Sequence, residues 1–488
     1  MVSEPDAIEV QPRPCWIAGS AEQGASTLTV SHPYDGTEVA EVAVPGAEQV
    51  ERAVAAAAGV ARSFAASPAH VRATALNTVA DLIAERAEEI AETITAENGK
   101  PLKWADVEVA RAQATFRFAA EEARRLVGDL QRLDTDAGGE GRLAVVRRRS
   151  RGPVLAIAPF NFPLNLVAHK VAPAIAVGAP VVVKPASATP LTALLLGEIL
   201  ADAGLPDGAF SVLPVAGDQM RSLVTDPRLP VISFTGSTEV GWSIADAAPR
   251  KHVVMELGGN SAAVVCPDWA SEEDLDLAAE RIAVFGNYQG GQSCIAVQRV
   301  IVHSDVADRF VPRLVDAVRR LRTGDPHDPE VEVGPLIDTA AAERVEKWVG
   351  EAVSAGGVLL TGGGRDGTSV QPTVLRDVPP DASVVRQEVF GPVLVVSVVD
   401  SVAAAFEQAD ATDYGLQAGV FTHDVATAFA AASAIDVGGV VIGDVPSYRA
   451  DQMPYGGVKG SGTGREGVRS AMLEYTQDQV VVLTNVTL

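Results

Sequence analysis

Residues 229–248 read LPVISFTGSTEVGWSIADAA. A short β-branched run ends at Thr235-Gly236-Ser237 and passes directly into residues with helical apolar spacing. Gly236 and Gly241 are five apart, and Ser237 stands where the helix begins. Exposed backbone N–H groups and the helix dipole favour an anion at such a turn, and the serine hydroxyl adds a donor. A glycine turn with a serine N-cap has the same sequence, so the stretch by itself leaves both readings open.

The same strand–turn–helix grammar extends outward. GPVLAIAP (152–159), PVVVKP (180–185) and FSVLPV (210–215) are short and β-branched, while LTALLLGEILADAG (191–204) is helical. That alternation predicts βαβ units and a parallel sheet covered on both faces. Upstream, residues 46–130 are alanine-rich with helical spacing, and Gly99 with Pro101 closes the run from His70. A second alternation begins after 258, with strand-like SAAVVC (261–266), QRVIVH (298–303), VLVVSVV (393–399) and AGVFTH (418–423). The tail DQVVVLTNV (478–486) reads as a strand with no helix after it, which needs a partner and makes it, with 140–150, a candidate subunit arm.

Bulk properties narrow the function. The 488 residues carry 39 Lys and Arg against 63 Asp and Glu, a net charge of −24, which repels nucleic acid and anionic lipid. The basic run RLAVVRRRSRG (142–152) has no interleaved aromatics and no recognition helix after it, so a solvated strand or subunit contact is expected. Three cysteines make no disulfide framework, and seven scattered histidines show no metal-ligand spacing. The acidic start MVSEPDAIEV and the absence of a long apolar stretch predict a cytoplasmic protein with no membrane span.

Two stretches match the dinucleotide pattern GxGxxG literally, from Gly362 to Gly367 and from Gly462 to Gly467. The first runs into no helix and the second follows no strand, so both are expected to be ordinary turns. Cys294 lies in GNYQGGQSCIAVQRV (286–300). Alone, that stretch suits a small core hydrophobe at least as well as a reactive thiol.

Four more stretches resolve the choice: PFNFP (159–163), VVVKPAS (181–187), MELGGNSAAVV (255–265) and RQEVFGPV (386–393). With the two glycine-rich segments, they make the chain resemble the NAD(P)-dependent, non-CoA-acylating aldehyde dehydrogenase superfamily from about residue 30 onward. MPYGGVKGSGTGREG (453–467) and PFNFPLNLVAHK (159–170) look most like its lactaldehyde, glyceraldehyde and succinate-semialdehyde branch.

The resemblance implies an α/β fold with two Rossmann-like α/β domains plus a small β oligomerisation arm. Residues 1–134 and 151–257 would form the cofactor-binding domain, 258–442 the catalytic thiol domain, and 135–150 with 470–488 the arm. It makes Cys294 the nucleophile, Asn161 an oxyanion donor, Glu256 the general base for hydrolysis and Lys170 a lysine near that base's proton path.

For NADP or NAD it implies Pro159, Phe160, Lys184, Ala186, Ser187, Gly217, Phe234, Gly236, Ser237, Val240, Leu257, Glu388 and Phe390. Relatives that prefer NAD often carry a glutamate where Ser187 stands, so NADP preference or dual use is expected. Phe162, Asn165, Leu166, Ser293, Ile295, Tyr448, Arg449 and Tyr455 would line the substrate tunnel. Arg449 suggests a short polar or carboxylated aldehyde, unless it pairs with a neighbour and leaves the substrate to Tyr448. Gly443 departs from an asparagine usual in relatives. A homodimer or homotetramer is expected. The rival classes are a CoA-acylating dehydrogenase, which often lacks the base, and a non-redox thiol esterase or acyltransferase.

Overall fold

The computed structural model describes residues 11–215 and 217–486. The opening segment, expected to be no leader peptide, lies outside the described residues. Strands Phe210–Val212, Val181–Lys184, Val154–Ile157, Val231–Thr235 and His252–Glu256 lie side by side in that order, all parallel. Antiparallel edges complete an eight-stranded sheet: Cys15–Ile17 and Ser20–Glu22 on one side, Gly462–Thr463 on the other. Alternate side chains enter different cores. Val154, Ala156, Val181 and Val183 face one helical layer, whereas Leu155, Ile157, Val182 and Phe234 face the other. That is why these strands are apolar at nearly every position.

The second alternation builds a seven-stranded sheet. Its order is Val358–Thr361, Thr373–Arg376, Val393–Val399, Arg299–His303, Ala262–Val265, Gln417–Phe421 and Gly439–Ile442, with the first strand antiparallel. A third sheet is antiparallel and joins Asp129–Arg132, Arg142–Ser150 and Thr476–Thr484. The last two pair over their whole length, from Ser150 opposite Thr476 to Arg142 opposite Thr484.

Three details differ from the sequence reading. The helical run from His70 is two helices, Ala69–Glu85 and Ala87–Asn98, broken at Arg86 with φ −108° and ψ 22°. The break lets the second helix pack on Leu191–Ala201 as well as on Leu102–Arg125. Asp129–Arg132 joins the three-stranded sheet ahead of residue 135. Residues 470–475 belong instead to the first core, because Ala471, Met472 and Tyr475 of the helix Val468–Glu474 and its cap are buried there. The first GxGxxG stretch is a turn, leading into the hairpin of Arg365–Asp366 with Ser369–Val370, whereas the second, expected to be a turn, begins as a short antiparallel edge strand, Gly462–Thr463, beside Met255 and Glu256.

Candidate active site

Parallel register sets the site. Ile157 is level with Lys184 and Phe234, Phe234 with Met255, and Thr235 with Glu256. The residues that follow the strand ends therefore gather along one edge, where open α/β sheets bind ligands. A cleft of about 580 Å³ opens there.

Of the expected cofactor residues, Pro159, Phe160, Lys184, Ala186, Ser187, Phe234, Gly236, Ser237, Val240, Leu257, Glu388 and Phe390 line this cleft. Gly217 does not; its helix reaches the cleft through Met220. Ser237 is the N-cap of the helix Thr238–Ala247, so the N–H groups of that first turn open toward the cleft. Phe160 and Phe390 meet edge to face with centroids 5.8 Å apart, and Phe390 holds a left-handed φ of 47°. Burial lowers the Lys184 ammonium and raises Glu388 to about 7, although Glu388 accepts the Gly259 N–H at 3.0 Å. A dinucleotide fits this lining: an anion-receptive helix end, a lysine and serine beside it, and an aromatic pair with a carboxylate at the far end.

Cys294, Glu256 and Asn161 all line the same cleft from three distant parts of the chain. Gly259 allows this approach, because a Cβ there would overlap the Cys294 carbonyl. The glutamines around Cys294 hold its loop. Gln289 and Gly290 adopt left-handed φ values of 43° and 71°. The Gln292 side chain donates to the Gln289 and Pro335 carbonyls and accepts the Ile337 N–H at 2.9 Å. The Asn161 Nδ2 donates to the Gln292 carbonyl at 3.0 Å, tying the amide to the cysteine loop.

Burial pushes all three thiols up: Cys15 to about 11, Cys266 and Cys294 to about 12. Acidity therefore does not single out Cys294. Its place does, since the other two are sealed in the core while Cys294 opens on the cleft and meets the Tyr455 hydroxyl at 3.1 Å. Glu256 is buried and, among the described residues, neither of its oxygens has a hydrogen-bond partner. Burial, and then the carboxylate of Glu466, raise it well above the ordinary range.

Lys170 does not line the cleft. Its ammonium donates to Glu466 Oε1 and Thr235 Oγ1, both at 2.7 Å, and Thr235 is the strand neighbour of Glu256. Arg449 is buried, donates to Glu466 Oε2 at 3.1 Å and lies over the Tyr455 ring. Burial works to raise Glu466, but Lys170 and Arg449 outweigh it and hold that carboxyl at about 2.

Among the expected tunnel residues, Leu166 lines the cleft, and Ile295 packs with Tyr455 beside Cys294. Phe162 lies under the Lys100 ammonium at 4.0 Å. Asn165 donates to Asp451 at 3.3 Å, Ser293 is buried, and Tyr448 is half exposed.

Sequence reasoning missed several supports. Lys100 and Glu108 form a fully buried ion pair. Lys100 donates to the Asn161 carbonyl at 2.9 Å, and Glu108 accepts the N–H groups of Leu164 and Asn165 at the start of the next helix. Glu466, Met220 and Arg344 were likewise not anticipated. Glu466 lay inside a dismissed glycine motif, and its neighbours in sequence carry no hint of its partners.

An α/β chain with two large, mostly parallel sheets, a nucleotide-shaped cleft and a thiol, a carboxyl and an amide on its wall has the architecture of a nicotinamide-dependent oxidoreductase. The aldehyde dehydrogenase family pattern matches residues 19–481, and the chain belongs to that family. Its members are oxidoreductases that act on aldehydes. A 3-sulfolactaldehyde dehydrogenase from Priestia aryabhattai is 40% identical over 469 residues, 96% of this chain and 97% of that one. The structure of aldehyde dehydrogenase 21 from Physcomitrella patens, in complex with its product succinate, is 43% identical with a TM-score of 0.95, covering 98% and 99%. An NADP-dependent glyceraldehyde-3-phosphate dehydrogenase from Bacillus halodurans, complexed with NADP, is 35% identical with a TM-score of 0.94, covering 98% and 100%.

Proposed function

We propose that this protein oxidises a short polar or carboxylated aldehyde to the free acid in the cytoplasm, using NADP or NAD. The observation that carries the reading is the convergence of Cys294, Glu256 and Asn161 on one cleft. Cys294 Sγ adds to the aldehyde carbon, and the alkoxide that forms takes hydrogen bonds from the Asn161 amide and the Cys294 backbone N–H. A nicotinamide dinucleotide, when bound, supplies the acceptor for the hydride whose loss turns this thiohemiacetal into a thioester. Glu256 then takes a proton from water, which attacks the thioester and frees the acid and the thiol. A buried carboxyl with no resident partner suits that role, since nothing competes for the water it must hold.

The dinucleotide would be held by Gly236 and Ser237 at its pyrophosphate, Lys184 at the adenosine ribose, and Glu388 with Phe390 at the nicotinamide end. Ser187 leaves room for a 2′-phosphate, which supports NADP preference or dual use. The polar-substrate reading draws on the relatives named above, a 3-sulfolactaldehyde dehydrogenase, an aldehyde dehydrogenase whose product is succinate and a glyceraldehyde-3-phosphate dehydrogenase. Arg449 is compensated by Glu466, so its part in substrate binding rests on the second charge that an anionic aldehyde would bring. Val480, Val481, Val482 and Leu483 are 40–57% exposed on the terminal strand, which supports a homo-oligomer joined through this arm.

The test is reduced-nicotinamide formation with lactaldehyde, glyceraldehyde, succinate semialdehyde and an apolar aldehyde, each with NAD and NADP and without CoA. Turnover of the polar aldehydes to free acid is expected. A strict CoA requirement, or acyl-CoA as product, would sink the hydrolytic reading.

A further inference from the structure

Tyr455 Oη lies 3.1 Å from Cys294 Sγ, and Tyr455 is 3% exposed. Among the described residues it is the one polar side chain within hydrogen-bond distance of that sulfur. The Arg449 guanidinium covers the phenol ring at 3.8 Å from its centroid. Glu466 anchors that guanidinium from the other side.

One backbone bridge organises the set. Tyr455 N donates to the Glu466 carbonyl at 3.0 Å, and Glu466 N to the Tyr455 carbonyl at 2.7 Å. The residue that touches the thiol therefore sits directly opposite the residue that holds a cation over its ring. The turn has little freedom to shift: Gly467 has φ +88°, and a Cβ there would overlap the Met453 carbonyl.

Resting on the reading of Cys294 as nucleophile, we propose that Tyr455 is a further catalytic residue whose hydroxyl donates a hydrogen bond to the Cys294 thiolate. Arg449, stacked on the ring, draws electron density from the phenol and makes it a stronger donor. The thiol proton leaves for a base, for which Glu256 in the same cleft is the candidate, and Tyr455 keeps its own proton. When Sγ bonds to the aldehyde carbon, the negative charge passes from sulfur to the aldehyde oxygen and the phenol is released. The other ionisable groups around the thiol divide by sign. Glu388 and Glu256 disfavour the thiolate, Arg449 favours it, and Tyr288 on the preceding turn is a partly buried phenol pushed up to about 12. With burial and two carboxyls against it, the thiolate needs a donor in contact.

Tyr455→Phe removes one oxygen and leaves the ring under Arg449. The measurement is the rate of Cys294 alkylation by iodoacetamide against pH, without aldehyde or dinucleotide, with Cys294→Ser as the blank. A thiolate ultraviolet titration on the same proteins gives a second readout, and unchanged thermal midpoint and dinucleotide affinity confirm an intact fold. The inflection is expected to move up by about one pH unit, which is roughly a tenfold lower rate at any pH below it. An unchanged inflection, or one that moves down, overturns the proposal. If Cys294→Ser still oxidises aldehydes, the nucleophile reading falls and this proposal falls with it. If Cys294→Ser is inactive while Tyr455→Phe alkylates as the wild type does, the Tyr455 proposal alone is overturned.

Discussion

Lys170 Nζ and Glu466 Oε1 meet at 2.7 Å in the interior, although 296 residues separate them in the chain. With Arg449 on its other oxygen, Glu466 is a buried anion between two buried cations. Glu256 feels that anion, after burial itself, as the neighbour that raises its carboxyl above the ordinary range. The pair therefore bears on stability and on the pH response of the base.

Glu466→Gln leaves two buried cations without their carboxylate. Breaking such an arrangement from one side typically costs about 3–5 kcal/mol, so the unfolding midpoint in urea should drop clearly. The same change removes the charge that raises Glu256. The base role proposed for Glu256 needs its ionised form, so in the wild type the hydrolytic step should gain rate as pH rises through the raised value. In the variant this limb should move to lower pH. A pH profile of kcat checks the shift, and a limb that stays put or moves up contradicts it.

Glu388 has its folded value raised from an ordinary carboxyl to about 7, so between the two the folded state binds more protons than the unfolded chain. Its contribution is fully present below the ordinary value and is lost as pH rises through about 7. Glu388→Gln does not titrate and can still accept the Gly259 N–H. Relative to wild type, the dinucleotide-free variant should gain stability as pH rises across that window, by up to about 3 kcal/mol. Unfolding free energies measured across the window test this, and a constant difference between the two proteins would contradict it.

Asn161→Ala removes the amide assigned to the oxyanion and its bond to the Gln292 carbonyl. Loss of one such donor typically lowers kcat by about 10²–10³. Dinucleotide affinity should stay within a factor of a few. Single-turnover measurements should place the loss before thioester formation.

Ser187→Glu puts a carboxylate where the 2′-phosphate of NADP would lie. The ratio of kcat/KM for NADP over NAD should fall at least tenfold, about 1.4 kcal/mol. If wild type already prefers NAD by more than that factor, Ser187 does not set the preference.

Val481→Lys places charges on the exposed terminal strand, where Val481 pairs with Val145. Sedimentation should show a smaller assembly with the site chemistry retained. An unchanged sedimentation coefficient would remove the arm from the interface.

Much of this protein was legible in one dimension. The apolar runs VLAI, VVVK and VISFT, alternating with helical segments, predict a parallel sheet because strands buried on both faces are apolar at nearly every position. The glycines of LGG and QGGQ could be read because close backbone approach and left-handed φ both call for glycine locally. The first literal GxGxxG stretch could be set aside because no helix follows it, whereas the second does run from the edge strand Gly462–Thr463 into the helix Val468–Glu474, a strand too short to be read from the sequence.

What tertiary structure alone decided is the fate of the buried charges. Lys100 with Glu108, and Lys170 and Arg449 with Glu466, leave no periodic mark, since a buried ion accepts whichever opposite charge packing delivers. Arg449 could be seen in the sequence as a cation near the site, but not as one already paired. The sequence by itself determined the alternation of strands and helices, because that depends on local period and local backbone freedom, while its resemblance to the aldehyde dehydrogenases supplied the reading of Cys294, Glu256 and Asn161. The environment of Cys294, Tyr455 and Glu256 came from segments hundreds of residues apart, because desolvation and pairing depend on what surrounds a group in space.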